Sequence, residues 1–208
     1  MLASRQAGKS EVAGRVVLKK VLLEPGSLVL ILSPTERQSG YFFRTKVLRP
    51  YELLGRPVKP ARQPGRLELE LSNGSHVVAL PDNEAGVRCY SSVKLLVIDE
   101  AARVDDALYH AVRPMLAVGH GALVALSTPW AKQGWFYEEW KSTRRWQRVR
   151  VPAALCPRIS PEFLAEELES KGQRWYDMEY NCTFSNLVSS LFSEESIEAA
   201  CSDKPGWF

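Results

Sequence analysis

Ala3-Ser4-Arg5-Gln6-Ala7-Gly8-Lys9-Ser10 is the stretch that decides how this chain is read. It fits A/G-x-x-x-x-G-K-S/T, a loop that wraps phosphate oxygens with backbone N–H groups and sets a helix N-terminus against them. In that pattern Lys9 would reach the β- and γ-phosphates and the Ser10 hydroxyl would ligate Mg²⁺. Ala3 at the first position loosens the match, and the competing reading is a helix start capped by Ser4 or Ser10. A phosphate loop follows a strand, yet only Met1 and Leu2 precede this one. The expectation is a fragment whose first strand is largely missing.

Beyond the loop, Val12, Ala13, Val16, Val17 and Val21 recur at helical spacing until Glu24-Pro25-Gly26 stops the pattern. The apolar run 28–32 reads as a strand buried on both faces. A helix is predicted over 36–49 with Tyr41, Phe42 and Leu48 as buried candidates, then a Pro- and Gly-punctuated loop over 50–66. Leu67, Leu69 and Leu71 alternate with Glu68 and Glu70, Asn73-Gly74 turns, and 76–80 returns, which is a hairpin signature. Buried strands follow at 95–99 and 122–126, separated by a helix over about 105–117 carrying Leu108, Val112 and Leu116. An aromatic helix over 134–141, a strand near 147–151 and helices over 160–172, 173–184 and 194–201 complete the chain. Strands alternating with helices predict an α/β fold around a mostly parallel central sheet flanked by helices.

Two strand ends add chemistry. Leu95-Leu96-Val97-Ile98 runs into Asp99-Glu100, an arrangement in which the Asp would hold Mg²⁺ and the Glu would activate an attacking water. Alone, this pair reads more readily as an acidic helix cap, and the phosphate loop upstream is what turns the reading. The next strand ends in Ser127-Thr128-Pro129, whose hydroxyls can reach a γ-phosphate or its water, although the same tripeptide makes an ordinary turn. Three strand ends with suitable polar groups point to one edge of one sheet, where ligands of open α/β sheets bind.

Composition narrows the classes. A net charge of +3 over 208 residues permits a nucleic-acid partner without demanding one. Cys89, Cys156, Cys182 and Cys201 form no C-x-x-C, so neither a zinc site nor a disulfide framework is expected and a reducing cytosol is the default. No signal peptide is evident, and the apolar runs are too short to span a membrane. His76, His110 and His120 are scattered and read as structural, and Trp135, Phe136, Tyr137 and Trp140 as core.

With these motifs in order, the chain resembles the large terminase subunit of tailed phages. The resemblance rests on SRQAGKS at 4–10, ILSPTERQS at 31–39, NGSHVVALP at 73–81, LLVIDEAARV at 95–104 and LSTPWAKQGWFYEEW at 126–140. It ends in EYNCTF at 179–184 and Leu191-Phe192. It implies a P-loop NTPase fold of the additional-strand, catalytic-glutamate class with an inserted β-hairpin. The ATPase domain would cover 1–185, and 186–208 would lead toward an absent nuclease domain. By motif match, Ser4, Arg5, Gln6, Ala7, Gly8, Lys9 and Ser10 would bind ATP, with Ser10 and Asp99 on Mg²⁺. Glu100 would be the catalytic carboxylate, Arg5 a γ-phosphate arginine, and Ser127 and Thr128 the coupling motif. The resemblance further implies a homo-oligomeric ring in the bacterial host cytoplasm that drives double-stranded DNA into a procapsid. Its partners would be a portal protein and a small terminase subunit. Departures are the missing adenine-contacting glutamine upstream, the missing nuclease, and Cys89 where the family usually has glycine after Arg88.

Two basic segments are DNA candidates: one with Arg56, Lys59, Arg62 and Arg66, the other with Lys141, Arg144, Arg145, Arg148 and Arg150 beside Trp140 and Trp146. Solvated charge is the plainer reading of both, and an arginine of the second acting on a neighbour's site is a third. Two other functions compete: a helicase-like DNA translocase, and a truncated non-catalytic remnant that only binds DNA or partners.

Overall fold

The computed structural model describes residues 1–80 and 90–186. The expectations for Arg88 and Cys89, for the helix over 194–201, and for all of 186–208 except Asn186 lie outside the described residues.

Three continuous apolar runs build the centre. Strand β2 (Leu28–Leu32) pairs in parallel with β5 (Leu95–Asp99), and β5 pairs in parallel with β6 (Ala122–Leu126). Leu30 sits opposite Leu96, and Leu96 opposite Leu123. Successive side chains leave opposite faces, and this parity divides the interior. Leu30, Leu32, Leu96 and Ile98 enter one apolar cluster, whereas Val29, Ile31, Leu95 and Val97 enter the other. Such two-sided burial explains why no polar residue interrupts these runs.

The expected hairpin forms. β3 (Glu68–Glu70) pairs antiparallel with β4 (His76–Ala79), and Gly74 turns the chain at φ +81, a backbone conformation that glycine adopts without strain. β4 also pairs in parallel with β2, so the hairpin is the edge of the central sheet, in the order β3-β4-β2-β5-β6.

The first strand is short but present. β1 (Leu2–Ala3) pairs in parallel with β7 (Arg150–Val151), and Leu2 bridges Ser127 just past β6. This sets the phosphate-loop stretch beside the C-terminal end of β6.

The helices cover both faces. Helix α1 (Lys9–Leu23) buries Ala13, Val17 and Val21, while Val12 and Val16 face outward. The buried stripe runs at i, i+4 and i+8, and the extra valines flank it. Helix α2 (Glu36–Phe42) is capped by Thr35, whose hydroxyl accepts from Gln38 N–H at 3.2 Å. It then passes through a π-helical turn (Phe43–Leu48) into α3 (Arg49–Leu53). The predicted single α-helix is therefore re-aimed at its middle. Phe42, Phe43, Val47 and Tyr51 point inward, and Tyr41, expected in the core, is exposed.

Pro114 divides the helix predicted over 105–117. Helix α4 (Asp106–Val112) gives way to a 3₁₀ turn (Arg113–Met115) and then to the short α5 (Leu116–Gly119). Helix α6 (Gly134–Lys141) stacks Trp135 on Tyr109 with ring centroids 3.9 Å apart, which accounts for its aromatic content as core. Helix α7 (Pro161–Lys171) has Ser160 as its cap. Helix α8 (Gln173–Glu179) stops five residues before the predicted end, and Cys182 turns the chain at φ +54.

Helix α1 approaches the π-helical turn so closely that a Cβ on Gly14 would lie 2.2 Å from the Lys46 carbonyl oxygen. Gly14→Ala should therefore destabilise the fold by about 1–3 kcal/mol, despite alanine's better helix propensity. Chemical denaturation checks this, and a stabilised variant would contradict the packing.

Candidate active site

The loop between β1 and α1 is shaped by two left-handed residues, Gln6 at φ +61 and Gly8 at φ +87. Glycine suits the positive φ at position 8; a Cβ there would also lie 3.0 Å from the Arg158 guanidinium, the mobile end of a long side chain that can shift. The stretch is pinned at its base. Ser4 N–H donates to Val151 O at 2.9 Å and Arg5 N–H to Glu179 O at 2.8 Å. Among the described residues, the N–H groups of Gly8, Lys9 and Ser10 find no protein acceptor. They stand at the start of a fifteen-residue helix, the arrangement that receives an anion.

Strand β5 delivers its two carboxylates to the same place. Ser10 Oγ donates to both Asp99 oxygens, at 3.3 and 3.2 Å. Lys9 Nζ lies 3.3 Å from Glu100 Oε1. Ser127 Oγ, at the end of β6, donates to Glu100 Oε2 at 3.4 Å and accepts from Ala102 N–H at 3.2 Å. Glu100 itself sits at φ +51, a conformation costly for a non-glycine residue and one that tends to persist at working sites. Thr128 is buried beside Ser127. Lys9, Ser10, Asp99, Glu100 and Ser127, read from separate motifs, thus form one bonded cluster.

Burial, and then the Glu100 charge, push the Asp99 carboxyl up to about 6; Lys9 and the Ser10 hydroxyl pull the other way without cancelling the rise. A hydroxyl beside two carboxylate oxygens, with negative charge in excess, is a donor set suited to a hard divalent cation. A cleft of about 310 Å³ opens next to it, lined by Ser10, Ser33, Arg37, Gln38, Asp99 and Glu100 among others.

Arg5 points away from this cluster. Its guanidinium is largely exposed, with Nε 4.0 Å from buried Glu179, which also pairs with Arg103 at 3.6 Å. Arg103 in turn stacks on Trp130 at 4.2 Å. Glu179, Arg103 and Arg158 had drawn no role from the sequence. The signal available was the EY of EYNCTF, since an acid at the end of an amphipathic helix pattern can be a buried partner as well as surface charge.

The two basic segments lie at opposite edges of the fold. Arg56 pairs with Glu52 at 3.0 Å, and Arg62 with Glu68 and Glu70 at 2.8 and 3.0 Å, so the first segment is largely balanced by its own hairpin, while Lys59 stays exposed. In the second, Arg148 donates to the Trp140, Glu139 and Ser142 carbonyls at the end of α6, and Arg150 donates to Asn181 O. Arg144 pairs with buried Glu139 at 2.5 Å. Arg145 makes no hydrogen bond or ion pair among the described residues. It lines a groove of about 840 Å³ with His110, Arg113, His120, Arg144 and Trp146, and no acid lines it among the described residues. No helix among the described residues is long and apolar enough to cross a membrane.

A mostly parallel sheet carrying a phosphate loop, with carboxylates and hydroxyls on the next strand ends, defines a P-loop nucleoside-triphosphatase fold. The family described as terminase large subunit, T4likevirus-type, N-terminal, matches residues 1–199, and the chain belongs to that family. No curated protein matches. Among solved structures, the Thermus phage P74-26 large terminase ATPase domain superposes with a TM-score of 0.74 at 21% identity, over 88% of this chain and 87% of that one. The large terminase of a second thermophilic bacteriophage, in complex with ADP, gives 0.69 at 12% identity, over 88% of this chain and 46% of that one. The same protein in complex with ATP-gamma-S gives 0.67 at 13% identity, over the same shares of the two chains.

The raised Asp99 carboxyl has a stability consequence. Folding favours its protonated form, so its charge costs stability above pH 6, and the cost fades as pH falls through about 6 towards 4. Asp99→Asn should stabilise the ligand-free chain at pH 8 by up to about 3 kcal/mol. The gain should vanish near pH 4, as thermal denaturation across pH checks.

Proposed function

We propose that the chain is the ATPase motor portion of a phage terminase large subunit, hydrolysing ATP to move double-stranded DNA into a procapsid. The observation that carries this reading is the joining of Lys9, Ser10, Asp99, Glu100 and Ser127 in one cluster at the mouth of an open helix N-terminus. The N–H groups of Gly8, Lys9 and Ser10 take phosphate oxygens. Lys9 exchanges Glu100 for the β- and γ-phosphates, which releases the carboxylate to accept a proton. Ser10 and Asp99 hold Mg²⁺, which when bound offsets phosphate charge. Glu100 orients a water whose oxygen bonds to the γ-phosphorus as the bridging P–O bond breaks. The bonding pair leaves on ADP, and the water's proton passes to Glu100. Ser127, hydrogen-bonded to Glu100, and the adjoining Thr128 sense the change at the end of β6. Arg5 completes the site only by leaving Glu179. Ser4, Gln6 and Ala7 shape the loop.

In the host cytoplasm the assembled partners would be DNA, a portal protein and a small terminase subunit, with the motor as a homo-oligomeric ring. Between the two basic segments, the groove at Arg145, whose guanidinium is unpaired among the described residues, favours DNA over the Arg56, Lys59 and Arg62 loop, whose arginines are paired; Arg144 lines the same groove but is held by Glu139.

Lys9→Ala and Glu100→Gln should each lower ATP turnover by at least about 10²-fold while the fold persists. Phosphate release measured beside circular dichroism checks this, and retained turnover in either variant contradicts the mechanism. Arg145→Ala should weaken duplex binding and reduce the slope of log K against log salt by about one. An unchanged slope removes the groove from the DNA path.

A further inference from the structure

Ser33 follows β2 directly, is 1% exposed, and its Oγ meets no hydrogen-bond partner among the described residues. A buried hydroxyl left unpaired is a cost that folds seldom carry without a use. Ser33 lines the cleft of about 310 Å³ that also holds Ser10, Asp99 and Glu100. The register explains its position: Leu32 lies opposite Ile98, so Ser33 and Asp99 leave adjacent parallel strands at the same level. Three other hydroxyls around the site are engaged: Ser10 with Asp99, Ser127 with Glu100 and Ala102, and Ser4 with Cys156. Among the described residues, Ser33 is the buried hydroxyl on this cleft whose hydrogen-bonding capacity is unspent. Ser39 Oγ is also buried and unpartnered there, but it lies off the cleft and serves as a control.

We propose that Ser33 is a positioning residue for the hydrolytic water, an inference that rests on the ATPase reading above. A nucleophilic water has two O–H bonds to direct. Glu100 accepts one, and it is the one whose proton is lost. Ser33 Oγ accepts the other, and the water's lone pair then faces the γ-phosphorus. No proton passes to Ser33. Orientation of this kind raises the rate without binding the nucleotide. Ser33 sits on the rigid end of β2, between two paired strands, and is held better than a loop residue would be.

The test uses the purified full chain with Mg²⁺ and ATP. Ser33→Ala should lower kcat about tenfold or more, with KM for ATP and the ADP dissociation constant within twofold of the parent. The unfolding midpoint of the ligand-free variant should equal or exceed the parent's, because an unpaired buried hydroxyl has been removed. Ser33→Thr, which keeps the hydroxyl, should recover turnover. Ser39→Ala should match Ser33→Ala in stability but keep the parent's kcat. Turnover of Ser33→Ala within twofold of the parent overturns the proposal. So does a fall in kcat accompanied by a lower midpoint and weaker ADP binding, which would assign Ser33 to the fold. A folded parent chain without ATP turnover would instead overturn the ATPase reading, and this inference with it.

Discussion

The site depends on the seating of a two-residue strand. Leu2 N–H donates to Val149 O, Ala3 N–H to Ser127 O, Ser4 N–H to Val151 O, and Ser127 N–H to Met1 O, all between 2.8 and 3.2 Å. Ordering a residue costs about 1–2 kcal/mol of backbone entropy, and each backbone bond returns only about 1 kcal/mol net. So short a strand cannot hold itself in place; it is held by neighbours on both sides and by burial of Leu2 and Ala3. In return it fixes the phosphate loop within reach of the ends of β5 and β6. The carboxylates and Ser127 would have no anion site to serve if β1 were displaced.

Once the loop is seated, electrostatics govern the cluster. Asp99 and Glu100 are adjacent in sequence at a half-buried strand end, and the Glu100 charge adds to the burial cost of the Asp99 carboxylate. Lys9 balances one of them, and Ser10 supplies a hydrogen bond to the other. The ligand-free cluster is therefore self-satisfied but not relaxed: Asp99 is held near 6 and Glu100 at a left-handed φ. On the ATPase reading proposed above, an incoming polyphosphate would take Lys9 from Glu100, and its cation would offset the Asp99 charge. On that reading, substrate and metal would relieve costs that the cluster bears by itself.

Parts of this were legible in the sequence because they obey local rules. Apolar runs 28–32, 95–98 and 122–126 read as buried strands and Asn73-Gly74 as a turn, and strands and a turn form there. The phosphate loop, Asp99-Glu100 and Ser127-Thr128 each belong to a strand end, so strand order alone brings them together. Features set by tertiary packing were not legible. Tyr41 fits the helical stripe, but the π-helical turn beginning at Phe43 rotates it outward, and no residue in 36–48 announces an extra residue per turn. Val12 and Val16 satisfy helical periodicity yet flank the stripe, because Gly14 draws the helix against Lys46 along a narrower line. The lack of a partner for Ser33 depends on what surrounds it, which is invisible in a Ser-Pro-Thr string.

Buried acids explain why charge counted along the chain overstates the charge left unpaired. Glu139 gathers Arg144, the Trp146 indole N–H at 2.8 Å and the Tyr109 hydroxyl at 3.2 Å. Glu179 gathers Arg5 and Arg103. A carboxylate out of water must be paired, and such pairs fix geometry more than they add stability. Each therefore pairs arginines that remain at the surface and offsets part of their charge. The run from Lys141 to Arg150 contains five cations and no acid. Even so, Arg144 is spent on Glu139, Arg148 on the last carbonyls of α6, and Arg150 on Asn181. Arg113 is engaged as well, 3.7 Å from Glu139 and donating to the Tyr109 hydroxyl, so what remains free to meet a polyanion is set by Arg145 and by the histidines that α4 and the turn after α5 bring to the same groove. The sheet's order creates that patch, and the linear run contributes only part of it.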